Sequence, residues 1–370
     1  MRIGIDARLI NETGVGRYIR NLLNELAIID STNEYVVYLT TEGSKTYTPP
    51  NERFSTRLVN IRWHTLAEQF ILPKKFVADR LDLLHVPYFT IPIFYPGKMV
   101  VTIHDLTVLH VDTGRASTLS PFVYKLKKLA YFIVLSVGLI KAKNIIAVSE
   151  YTKAQIVQYM HIPPEKIQVT YEGFDRSMNT LSIKNPRIPT TPYILYVGNA
   201  YPHKNIDTLI AGFEKYLIDP EGIQEQRSLV LVGPDDIFYK SYKLYVTKKN
   251  LSGRILFYGQ ASYTELCALY KNSDALVFPS LMEGFGLPGI EAMSLGIPVI
   301  ASNIPVFHEI YGNTVTYFET TDPLDLKNSI VKVLGNQKYR DDLRLKAKKY
   351  VDRYSWRRMA LETLEIYRDR

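Results

Sequence analysis

The sequence predicts an α/β protein made of two doubly wound parallel sheets, on three observations. Short runs rich in Val, Ile and Leu recur thirteen times between segments of helical period, the pattern of parallel strands buried on both faces. Thirteen strands are too many for one small sheet, and 370 residues suit two domains better than one core. The apolar rhythm also breaks across Asp175–Pro192, where Ser, Asn, Thr, Lys184, Arg187, Pro186, Pro189 and Pro192 displace it.

In the first half the expected strands are Arg2–Ala7, Tyr35–Thr40, Arg57–Trp63, Leu81–Val86, Met99–His104, Asn144–Ser149 and Lys166–Tyr171. In the second they are Tyr193–Gly198, Ser228–Gly233, Arg254–Gly259, Ala275–Pro279, Pro298–Ala301 and Val315–Phe318. A Gly14–Gly16 turn leads into a helix from Arg17 to about Ile29. Another helix opens after Gly286 and stops near Gly296, ahead of Pro298. The stretch Gln337–Arg370 is helical in pattern, with Trp356, Met359, Leu361, Leu364 and Ile366 as its apolar face. Ligands of such folds bind at the carboxyl ends of the strands, here in a cleft between two sheets.

Composition narrows the function. Hydrophobic residues make up 46% and charged residues 22%, which excludes disorder, collagen-like repeats and coiled coil. With Cys267 the only cysteine, no internal disulfide and no cysteine-based metal site can form. The net charge is +8, spread over both halves rather than gathered into a stripe. That argues against a nucleic-acid partner and suits anionic small molecules or an anionic membrane surface. The opening Met1–Asp6 reads as a strand without a secretory segment, so a cytoplasmic location is expected.

The strongest chemical signal is Glu283-Gly284-Phe285-Gly286-Leu287-Pro288-Gly289-Ile290-Glu291. Glycines let the backbone approach a ligand closely, and Pro288 suits a first helical turn. The unpaired N–H groups of such a helix start make an anion site fit for a phosphate. The two carboxylates would repel phosphate, so they read as gripping hydroxyls on either side of it, one of a sugar and the other of a ribose.

This stretch matches the E-x7-E motif and resembles the retaining, nucleotide-sugar-dependent glycosyltransferases of the GT-B fold, specifically the large family 4. Further motifs follow in order over nearly the whole chain. They are Gly14-Val15-Gly16-Arg17-Tyr18, Thr102-Ile103-His104-Asp105, Val148-Ser149-Glu150 and Tyr171-Glu172-Gly173-Phe174-Asp175. Then come Val197-Gly198-Asn199 with Pro202-His203-Lys204-Asn205, Ser273-Asp274-Ala275, and the ending Tyr354-Ser355-Trp356. The resemblance implies an acceptor-binding domain over 1–180 and a nucleotide-sugar-binding domain over 181–352, both Rossmann-like. A final helix, 353–370, would cross back to the first.

By the same resemblance Glu283 would hold the donor sugar's hydroxyls and Glu291 the ribose, with the amides of Phe285, Gly286 and Leu287 on the distal phosphate. Lys204 would pair with the diphosphate and stabilise it as it leaves. Relatives often place an Arg shortly before that Lys; here Asn199 and His203 occupy the nearby positions, and His203 supplies charge only when protonated. His104 would contact the donor sugar, the alternative being a strand-capping His bonded to backbone. The Gly14–Gly16 loop would close on donor phosphate or acceptor, with Gly16 toward the donor and Arg17 toward a phosphorylated acceptor. Catalytic roles thus fall on His104, Lys204 and Glu283, and no nucleophile is assigned.

No D-x-D pair and no H-E-x-x-H spacing occurs, so neither a metal nor another cofactor is expected. The implied reaction moves a hexose, mannose favoured, from a GDP-, UDP- or dTDP-linked donor to a polysaccharide, lipid-linked or other glycan acceptor. A nucleotide-sugar epimerase of the same fold and a non-catalytic nucleotide-sugar-binding protein are the alternatives. The apolar stretch Leu129–Ile140, flanked by Lys125, Lys127, Lys128, Lys141 and Lys143, is too short to span a bilayer. It reads as a buried helix or as a peripheral contact with the inner face of a membrane.

Overall fold

The computed structural model describes residues 1–110, 121–180 and 188–369, so Lys184, Pro186 and Arg187 of the expected break lie outside the described residues. Two compact units emerge: Met1–Gly173 together with Tyr354–Arg370, and Phe174–Arg353.

The first unit carries β1 (Arg2–Asp6), β2 (Glu34–Leu39), β3 (Phe54–Leu58), β4 (Leu83–Val86), β5 (Met99–Ile103), β6 (Asn144–Ala147) and β7 (Ile167–Val169). They form one parallel sheet in the order β3-β2-β1-β4-β5-β6-β7. The second unit carries β8 (Tyr193–Val197), β9 (Ser228–Val232), β10 (Ile255–Gly259), β11 (Ala275–Phe278), β12 (Val299–Ser302) and β13 (Thr316–Phe318). Its parallel order is β10-β9-β8-β11-β12-β13. Each sheet reverses its winding once, between β1 and β4 and between β8 and β11. Such a reversal parts the loops on either side and opens room for a ligand. Central strands such as β5 and β9 are buried throughout, which is why they read as unbroken apolar runs.

Three expectations are corrected. Strand β3 lies earlier than Arg57–Trp63, because its register is set by pairing Tyr35 with Phe54 through Leu39 with Leu58. As the sheet's edge strand it is only partly covered, so its own polarity hides it. The first helix begins at Gly14 and runs to Ile29, so Gly14–Gly16 belong to its first turn rather than to a loop before it. A Cβ on Gly16 would meet the carbonyl oxygens of Ile10 and Leu9 at 2.5 and 2.8 Å, whereas Gly14 has nothing within 4 Å. In the Trp356–Arg368 helix, Leu361 is 44% exposed. It stands two residues from buried Met359, about 200° round the helix. Trp356, Met359, Ala360, Thr363, Leu364, Ile366 and Tyr367 are the buried face.

That helix belongs to the first unit. Tyr367 Oη lies 2.5 Å from His85 Nδ1 on β4, and His85 Nε2 lies 2.8 Å from Thr102 Oγ1 on β5. Gly173 is pressed against the backbone at Ser355–Trp356, where a Cβ would lie 2.1 Å from Trp356 N. The chain's departure from this unit and its return therefore touch.

Candidate active site

In the second unit, the segments after β8 and after β11 flank the winding reversal. Leu281 N–H donates to His203 O (2.8 Å), and Asn205 Nδ2 donates to Pro279 O (3.0 Å) and Thr320 O (2.7 Å). Asn205 holds a left-handed backbone, φ 57°, which Asn adopts more readily than most residues. It thereby turns the chain from the Pro202–Lys204 turn into the Ile206–Leu217 helix.

This stitching brings Lys204 to Glu283, 79 residues away in sequence, with Nζ 2.5 Å from Oε1. The same carboxylate oxygen accepts a hydrogen bond from buried Ser280 Oγ at 2.7 Å. Both members of the pair are mostly buried, with side chains 15% and 13% exposed. The carboxylate so held stands four residues before the Leu287–Ser294 helix.

Gly286 caps that helix at φ 103°. Its carbonyl accepts from Tyr311 Oη at 2.7 Å, and a Cβ on Gly286 would lie 2.2 Å from that same hydroxyl. Tyr311 thus holds the turn from below and requires glycine there. Phe285 is buried and Leu287 half-buried. Glu291 is buried on the helix, and its Oε2 accepts from Tyr270 Oη at 3.1 Å. Asn199 is half-buried just after β8; its carbonyl accepts from Tyr196 Oη at 2.6 Å. His203 is half-buried, with its ring 6.1 Å from that of Tyr201.

The first unit places its candidates at the carboxyl edge of its own sheet. His104, just past β5, is 9% exposed. Its Nδ1 lies 3.0 Å from Glu172 Oε1 and its Nε2 3.0 Å from Pro87 O. Both ring nitrogens are thus engaged within the first unit. Tyr18 meets the His104 ring edge-on at 4.9 Å. Arg17 is half-buried in the first turn of the Gly14–Ile29 helix.

Sequence reasoning assigned no role to Ser280, Asn205, Tyr270, Tyr311 or Glu172. Asn205 and Glu172 stand inside quoted motifs and Ser280 close to one, so all three were findable; Tyr311 was not, since only the packing of the Pro305–Tyr311 helix delivers its hydroxyl. No cluster of three or more His, Cys, Asp or Glu suited to a metal ion occurs among the described residues.

Two doubly wound parallel sheets, each with a switch point, form the GT-B architecture. Residues 178–350 match the family described as Glycosyl transferases group 1, and residues 13–177 match Glycosyltransferase Family 4. The chain is 27% identical over 334 residues to the O-antigen chain mannosyltransferase RfbU of Salmonella typhimurium, covering 87% of each. Among solved structures it is similar to sucrose-phosphate synthase from Thermosynechococcus elongatus, at 21% identity and a TM-score of 0.79, covering 100% of this chain and 98% of that one. It is also similar to Anabaena Alr3699/HepE in complex with UDP-glucose, at 16% identity and a TM-score of 0.77 with 100% of both chains covered. The protein belongs to the family-4 glycosyltransferases.

Proposed function

We propose that the protein transfers a hexose, with mannose favoured, from a nucleotide-diphosphate sugar to a glycan or lipid-linked acceptor, retaining the anomeric configuration. The observation that carries this reading is the joining of Lys204, Glu283 and the Gly286-capped helix start within one unit. The relative named O-antigen chain mannosyltransferase supports the choice of mannose, and the neighbour solved with UDP-glucose supports a nucleotide sugar as donor. GDP is the favoured nucleotide, ahead of UDP and dTDP.

In this reading the first-turn N–H groups at Gly286 and Leu287 receive the distal phosphate. The Lys204 ammonium leaves Glu283 for the diphosphate, and the freed carboxylate turns to the sugar hydroxyls while Ser280 keeps hold of it. Glu291 takes the ribose. A cation fixed beside the departing diphosphate favours the transition state over the bound substrate, since charge grows there as the glycosidic bond breaks. Helix and lysine together neutralise the diphosphate without a metal ion. His104, Gly16 and Arg17 serve donor and acceptor from the first unit.

Thermal unfolding with GDP, UDP, dTDP and ADP, each with and without Mg²⁺, tests the donor half. One nucleotide should raise the melting temperature without Mg²⁺; no shift from any of them would refute the reading. Product analysis by NMR with the matching sugar donor then decides the reaction. A new nucleotide sugar formed without acceptor would make the protein an epimerase, and an inverted linkage would exclude retention.

A peripheral membrane contact is part of the proposal, and one observation favours it. The Pro121–Lys141 helix buries Leu135 and Leu139 but exposes Phe122, Leu126, Leu129 and Ile133 at 77, 58, 55 and 49%. Their spacing makes one stripe, with exposed Lys125 and Lys127 beside it. Exposed apolar residues edged by lysine complement an anionic bilayer surface. No helix among the described residues is long and apolar enough to cross a membrane.

A further inference from the structure

Four aromatic rings from three separate parts of the first unit converge beside His104, outside the residues assigned above. Tyr88 and Phe89 follow β4, with ring centroids 3.6 Å apart. His64, from the segment after β3, stacks on Phe89 at 5.6 Å and 26°. Tyr131, from the Pro121–Lys141 helix, meets Phe89 edge-on at 5.1 Å and His64 at 6.1 Å. Tyr88 in turn lies 6.3 Å from the His104 ring. Tyr88, Phe89 and Tyr131 are half-buried and His64 is exposed, so ring surface remains open to solvent.

Two features separate this group from ordinary core packing. The Tyr131 hydroxyl is buried and has no hydrogen-bond partner among the described residues; Tyr88 and the Asp105 carboxylate are its electrostatic neighbours. A buried phenol left unpaired costs free energy that a ligand's polar group would recover. His64, for its part, stands at φ 59°, a conformation that costs a non-glycine residue and persists where surrounding structure enforces it. The enforcement is visible. The His64 N–H donates to Glu68 Oε2 at 2.9 Å, Glu68 Oε1 accepts from Arg8 Nη2 at 2.7 Å, and Arg8 also holds Ile61 O. Arg8 and Glu68 are buried.

The chemistry of the lining selects the ligand. Aromatic faces offer apolar contact, whereas Asp105 and the Tyr131 hydroxyl would be out of place against a purely apolar guest. A carboxylate beside the rings disfavours phosphate. A pyranose meets all three conditions, since its C–H face is apolar and its rim carries hydroxyls that both donate and accept. We propose that His64, Tyr88, Phe89, Asp105 and Tyr131 form a binding subsite for a sugar ring of the acceptor glycan. The assignment rests on the glycosyl-transfer reading above.

Saturation-transfer NMR tests it on the full chain, with the methyl glycosides of mannose, glucose, galactose and N-acetylglucosamine as separate probes. At least one glycoside should receive saturation at its ring C–H protons. Phe89→Ala should cut that signal about tenfold by removing the stacking face, and Tyr131→Phe should weaken binding about fivefold by removing one hydrogen bond. Tyr131→Phe keeps the ring and so guards against a variant that merely misfolds, and the nucleotide-induced melting shift should survive in both variants. No saturation of any glycoside, or saturation untouched by both substitutions, overturns the subsite. If the native chain shows no nucleotide shift, the donor reading fails instead, and the two failures are told apart in the same samples.

Discussion

Replacing Lys204 with Ala acts twice, and the two effects can be measured separately. In the resting protein the Lys204 ammonium is the cation paired with Glu283 at 2.5 Å, and that side chain is only 13% exposed. Truncation leaves a mostly buried carboxylate with Ser280 as its remaining donor, at an expected cost of about 1–3 kcal/mol of stability. Adding Glu283→Gln removes the stranded charge and should return at least about 1 kcal/mol. The second effect falls on nucleotide binding. A nucleotide at about 100 times its dissociation constant stabilises by about 2.7 kcal/mol, roughly 5–11 °C for a unit the size of Phe174–Arg353. Loss of one charge-assisted contact weakens binding by about 1.5–3 kcal/mol. At the same nucleotide concentration the stabilisation then falls to about 0.3–1.3 kcal/mol. The assay is differential scanning fluorimetry of wild type, Lys204→Ala and the double variant, with and without GDP. The double variant should regain stability but not the nucleotide shift. A Lys204→Ala protein that is destabilised yet keeps the full shift would mean that Lys204 is only the counter-ion of Glu283.

Other outcomes are equally specific. Gly286→Ala should cost about 2–5 kcal/mol, because it sets a Cβ against the Tyr311 hydroxyl at a strained φ, whereas Gly14→Ala should be neutral or stabilising by up to about 1 kcal/mol; equal denaturation midpoints would refute the contrast. Burial, with a contribution from His104, lowers His85 to about 3, so the unfolded chain binds the extra proton first. Stability should therefore be whole above about pH 6.5 and fall by up to about 1.4 kcal/mol per pH unit towards pH 3, a slope that His85→Gln reduces in denaturant titrations at several pH values. Phosphatidylglycerol vesicles should sediment the protein and phosphatidylcholine vesicles should not, with Leu126→Ser/Leu129→Ser abolishing the difference; equal recovery in both supernatants would sink the membrane contact.

The strands were legible because burial on both faces leaves no polar alternation to confuse them: β5 and β9 stand where their Val- and Leu-rich runs lie. The edge strand β3 was misplaced for the converse reason, its half-covered residues carrying no pattern. The Glu283–Glu291 segment announced itself through glycines and paired acids, a local code that needs no tertiary knowledge. Leu361 shows the limit of apolar composition without phase, since it lies on the open side of the last helix.

What the sequence by itself determined was the class of fold, the glycine-capped helix start and the family. Each is written in residues close together along the chain. Tertiary structure decided which of them meet. Only the winding order places β8 beside β11, so that Lys204 reaches a carboxylate 79 residues on. Only packing brings Tyr311 under Gly286, Glu172 to His104, and four rings from three segments into contact. Contacts of such long sequence separation are set by how sheets and helices bury their apolar faces together, and no local spacing encodes them.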